Sequence, residues 1–111
     1  MAAPPSARRD RLTPHFPKLV AMTGDFAYDD IWQRPGLSKR DRSLVTIAAL
    51  TALGWQEQLR THLGRALENG VTREEIAEAI THLAVYAGFP AAMTASHVAV
   101  DLYEELDGAA G

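Results

Sequence analysis

Gly54, Gly70 and Gly88 each follow directly on a stretch of helix-forming residues, and this punctuation constrains the fold more than any other feature of the chain. Glycine enters the left-handed backbone region at little cost, so it is the residue that closes helices. Start signals stand at the opposite ends. Ser38 is followed by Asp41, and Thr72 is followed by Glu75 in the spacing of a capping box. Pro90 suits a first helical turn. These signals predict helices over 39–53, 55–69, about 72–87 and from 90 to about 106. The short links, with Gly54 and Gly70 separated by 16 residues (70 − 54), favour antiparallel neighbours. Upstream, Thr13 before Pro14 could cap a short or irregular helix within about 14–29, on which Phe16, Leu19, Val20 and Phe26 form one side; Pro17 and Gly24 weaken it. The run IWQRPGL at 31–37 predicts a turn, because Pro35 fixes its own torsion and Gly36 permits unusual ones. No segment alternates as a strand does, so the predicted class is all-α.

The same periodicity names a core. Leu59, Leu63, Ala66 and Leu67 share one helix face, and Ile76, Ile80, Leu83 and Ala87 share another. The helix over 39–53 is apolar around most of its circumference from Leu44 onward, which predicts an interior position. Met93, His97, Val100 and Tyr103 or Glu104 run along the last helix. With 111 residues the chain has the length of one domain. A flexible lead over 1–12, one domain over 13–106 and a frayed tail over 107–111 are expected.

Composition removes several function classes. The net charge of −3 offers no basic field for a phosphate backbone, so nucleic acid is not an expected partner. No apolar run approaches the ~20 residues of a membrane helix, and no secretory h-region opens the chain, which makes the cytoplasm the expected location. The absence of cysteine removes thiol chemistry. No glycine-rich phosphate cradle is present, and His15, His62, His82 and His97 lack the spacing that aims two metal ligands from one helix, so neither a cofactor nor a metal is expected.

Polar stripes remain. Trp55, Gln58 and His62 line up at steps of three and four. Glu78, His82 and Tyr86 follow at steps of four, a spacing that sets an imidazole between a carboxylate and a phenol. His97 shares a face with Met93 and Asp101. Each stripe also has a plain structural use as a solvated face, an intrahelical pair or a subunit contact, and Trp32 and Trp55 could serve only as core or interface anchors.

The motifs W-x-R-P-G-L, R-S-L-V-T-I-A, H-L-x-x-A-L-x-N-G-V-T-x-E-E and Y-A-G-F-P-A-A occur in this order and spacing between about Phe26 and Leu106. Together they resemble the carboxymuconolactone decarboxylase family, within the wider alkylhydroperoxidase D-like fold. The resemblance implies an all-helical bundle of about five to six helices. It also implies a homo-oligomeric ring, a hexamer built as a trimer of dimers, with sites near subunit contacts. The redox branch of that fold carries a Cys-x-x-Cys pair ahead of a histidine. Counting back from His62, Trp55 and Gln58 occupy the cysteine positions and Ser43 falls about where an upstream glutamate sits, so peroxidase chemistry is excluded.

What the resemblance implies instead is a cofactor-free carboxy-lyase of aromatic compound catabolism, acting on 4-carboxymuconolactone or a similar small carboxylated lactone. Such a substrate is its own electron sink, because electrons released with carbon dioxide flow through the double bond to the lactone carbonyl. The protein must hold the remaining carboxylate, meet the dienolate oxygen with donors, and protonate carbon. On this reading His62 is the acid or oxyanion donor and His82 with Tyr86 the second proton-handling pair. Arg42 and Arg34 anchor carboxylates, and Trp32, Ser43, Trp55 and Gln58 line the pocket. The alternatives are a tailoring enzyme of secondary metabolism doing decarboxylation, dehydration or isomerisation on the same scaffold, and a non-catalytic oligomeric small-ligand binder.

Overall fold

The computed structural model describes residues 10–110, with the side chain of Ala110 excepted. Of the lead expected over 1–12, residues 1–9 lie outside this range. The chain divides into two units between Ser38 and Lys39, so the span expected to be one domain covers both.

In the first unit residues 10–12 are helical, and after a turn comes the short helix α1 (Pro17–Met22). Pro17, read from the sequence as a weakness, is its first residue, where a missing N–H costs nothing. A π-helical turn at Thr23–Tyr28 follows, then a 3-10 turn at Ile31–Gln33 that leads into the expected Pro35–Gly36 bend. The irregular helix expected within 14–29 is thus present in this form.

The second unit consists of α2 (Lys39–Leu53), α3 (Gln56–Glu68), α4 (Arg73–Ala87) and α5 (Phe89–Ala110). They pair as two hairpins, α2 with α3 and α4 with α5, and α2 and α3 also pack on α4 and α5. No strand occurs among the described residues.

Both joints of α3 are glycine closures. At the end of α2, Gly54 has φ of 73°, its N–H donates to the Thr51 carbonyl at 3.2 Å, and the Trp55 N–H reaches back to Leu50 at 3.2 Å. The end of α3 repeats the motif at Gly70, with φ of 96° and a Val71 to Ala66 bond of 2.9 Å. These paired back-bonds satisfy carbonyls that a helix end leaves open. At the start of α4 the capping box is complete: Thr72 Oγ1 accepts from the Glu75 N–H at 3.1 Å, and the Glu75 carboxylate accepts from the Thr72 N–H at 2.9 Å.

Ile47, Leu50, Leu59, Leu63, Ala66, Val71, Ile76 and Ile80 form the core with Ala92, Ala95, Ala99 and Leu102. Leu67 is only partly buried against it. On α5 the inward face is the row Ala92, Ala95, Ala99 and Leu102. Met93, His97 and Val100 are exposed. The interior position expected for α2 is not observed: Ser43, Ile47, Leu50 and Thr51 are buried, but Val45 and Leu53 are 61% and 56% exposed. A unit of four helices covers one side of α2 and leaves its other apolar side bare. The tail differs as well, because α5 continues as helix through Asp107 to Ala110, held where Arg73 forks the Asp107 carboxylate at 3.2 and 2.7 Å.

Candidate active site

His62 sits in the middle of α3, on the border between the buried row Leu59, Leu63, Ala66 and the solvent side. It is half-buried, and its Nδ1 atom is fully enclosed. Enclosure penalises the charged ring, and the nearby Arg65 cation opposes a second positive charge. Together they lower the His62 pKa from 6.5 to about 4. The imidazole is therefore neutral at pH 7. A neutral imidazole can donate a hydrogen bond to a developing oxyanion, but it is a poor store for a proton.

Of the stripe that includes His62, Gln58 is exposed and Trp55, just ahead of the helix, is 54% exposed. Arg65 was missed from the sequence. Its signal was simple, since a residue three positions on from His62 lies on the same helix surface. Arg42 in α2 is half-buried with its Nε atom enclosed, and its carbonyl accepts from Thr46 Oγ1 at 2.8 Å.

Ser43 is completely buried, and its hydroxyl accepts from Asn69 Nδ2 at 3.0 Å. This bond ties the second turn of α2 to the residue after α3. Asn69 was not singled out from the sequence, because nothing local distinguishes an asparagine that caps from one that bridges helices.

His82 and Tyr86 on α4 do meet, with ring centroids 5.1 Å apart at 45°. Glu78, one turn earlier, is exposed, as are both rings, Tyr86 at 76%. Val85, Phe89 and Met93 surround the same α4–α5 corner with their side chains in solvent. Trp32 and Arg34 belong to the first unit, where the Trp32 ring packs on Tyr28 at 6.3 Å.

The second unit is thus a four-helix scaffold that sets a neutral, half-buried imidazole near a guanidinium. The chain belongs to the carboxymuconolactone decarboxylase family, whose model matches residues 17–101. It is 48% identical over 81 residues, 73% of its length, to 4-carboxymuconolactone decarboxylase of Acinetobacter baylyi. It is 41% identical over 71 residues, 64% of its length, to nitrosuccinic acid decarboxylase npaB of Metarhizium robertsii. An uncharacterized 15.0 kDa protein of Paracoccus denitrificans is 34% identical over 93 residues, 82% of this chain and 69% of that protein. The chain spans 60% and 50% of the lengths of the two decarboxylases.

Proposed function

We propose that this chain is a cofactor-independent decarboxylase of small polycarboxylates that carry their own electron acceptor. The two decarboxylase relatives are named for different acids, yet the two acids share a logic. In a carboxylated unsaturated lactone, the electron pair left by carbon dioxide passes through the double bond to the lactone carbonyl. In nitrosuccinic acid it passes to the nitro group. Both acids keep a second carboxylate that a cation can hold.

The observation that carries this reading is the neutral imidazole of His62 beside Arg65. Arg65, with Arg42, holds the retained carboxylate. The His62 N–H meets the oxygen on which negative charge collects, and the enclosed surroundings strengthen that hydrogen bond. The proton that finally reaches carbon comes from the His82–Tyr86 pair, which requires that the exposed corner become covered. The bare apolar side chains at that corner and on α2 support a homo-oligomer; its form as a ring of three dimers rests on the family resemblance, as do the parts assigned to Trp32 and Arg34.

The test is the loss of ultraviolet absorption of synthetic 4-carboxymuconolactone on mixing with purified protein, with nitrosuccinate assayed in parallel by release of carbon dioxide. His62→Gln is expected to lower kcat by about 100-fold or more while gel filtration shows an unchanged assembly. No turnover of either acid by the native protein ends the proposal.

A further inference from the structure

A separate feature lies between α4 and α5: a groove of about 170 Å³. We infer that this groove binds a small aromatic monocarboxylate, with Arg73 taking the carboxylate. Ile76, Ala77 and Ile80 from α4 and Ala99 and Val100 from α5 line it. A cavity of about 150 Å³ already accommodates benzene, so one ring with a short substituent fills this one. Arg73 and Tyr103 lie where α4 begins and α5 nears its end, and both line the groove.

The guanidinium carbon lies 4.4 Å above the centre of the Tyr103 ring. Its fork is already set in bidentate carboxylate geometry, filled by the chain's own Asp107 at 3.2 and 2.7 Å. Both partners are well exposed. Solvent therefore screens the pair, and another carboxylate can compete with Asp107 for the fork. The far end of the groove carries only the hydroxyls of Thr81 and Ser96, and Ser96 Oγ donates to the Met93 carbonyl at 2.7 Å. With one cation and an apolar floor, the groove favours a single negative charge at one end of a flat apolar body. A dicarboxylate would leave its second charge against isoleucine and valine. His62, His82 and Tyr86 do not line the groove, so this inference does not depend on the decarboxylase reading.

The experiment is a titration of the full-length protein with benzoate, followed by amide chemical shifts. Saturable shifts in α4 and α5 are expected in the millimolar range, with benzyl alcohol weaker by about tenfold because it brings no charge to the guanidinium. Arg73→Gln weakens benzoate binding by about tenfold. Asp107→Asn tightens it several-fold, because the internal competitor is gone, and this variant decides the matter alone if Arg73→Gln does not fold. His62→Gln leaves the affinity unchanged. The inference is overturned if benzoate gives no saturable shift, as when a second copy of the chain covers the groove. It is equally overturned if Arg73→Gln binds as tightly as the native chain, if Asp107→Asn does not tighten binding, or if His62→Gln abolishes it.

Discussion

The two hairpins of the second unit treat their polar side chains in opposite ways. In the α2–α3 hairpin the histidine is half-buried, the serine hydroxyl is sealed against Asn69 and the imidazole has lost its usual basicity. In the α4–α5 hairpin His82 and Tyr86 meet at a 45° tilt in solvent amid bare Val85, Phe89 and Met93. The first hairpin has fixed its chemistry by folding. The second has only placed its groups, whose surroundings depend on what comes to cover them.

The largest effect that would break this contrast is loss of the packing around the first hairpin. Ile47 is wholly buried, so Ile47→Ala is expected to cost about 2–5 kcal/mol in denaturant unfolding. Next is the pH response of His62. Its folded pKa of about 4 lies below the free value of 6.5, so the unfolded chain binds the extra proton first. The stability this group contributes is then fully present above pH 6.5 and is lost as pH falls through about 4. His62→Gln should flatten the melting temperature across that window, and a slope as steep as in the native protein would refute the assignment.

Smaller is the Ser43–Asn69 tie. Asn69→Ala leaves a sealed hydroxyl without its donor and is expected to cost about 1–3 kcal/mol by the same unfolding measurement. At the exposed corner the order reverses. Tyr86→Phe should change stability by less than about 0.5 kcal/mol yet lower turnover more than tenfold if the phenol handles a proton. Equal turnover would confine Tyr86 to packing.

The ends of the helices could be read in the sequence because each depends on a few adjacent residues. Gly54, Gly70 and the Thr72–Glu75 box did in the structure what their local chemistry requires. Periodicity likewise found the Leu59, Leu63, Ala66 face. What it could not find depends on partners distant in sequence. The inward row of α5, Ala92, Ala95, Ala99 and Leu102, depends on which helices it meets, and no local pattern singles it out. Helix at Asp107 sets its carboxylate against Arg73, 34 positions earlier, a pairing that no local pattern announces. The site was readable as a set of residue types, but not as environments: no sequence pattern tells that the His62 ring is enclosed while the His82 ring is open.

One rod carries His62 and ends at Asn69, its C-cap, and a glycine closure stands at each of its joints. A residue inserted or removed between them would turn everything beyond by about 100°, so the imidazole and the serine-binding amide could not both keep their places. The interval from 62 to 69 therefore acts as a gear setting, and length variation in this protein should fall outside it.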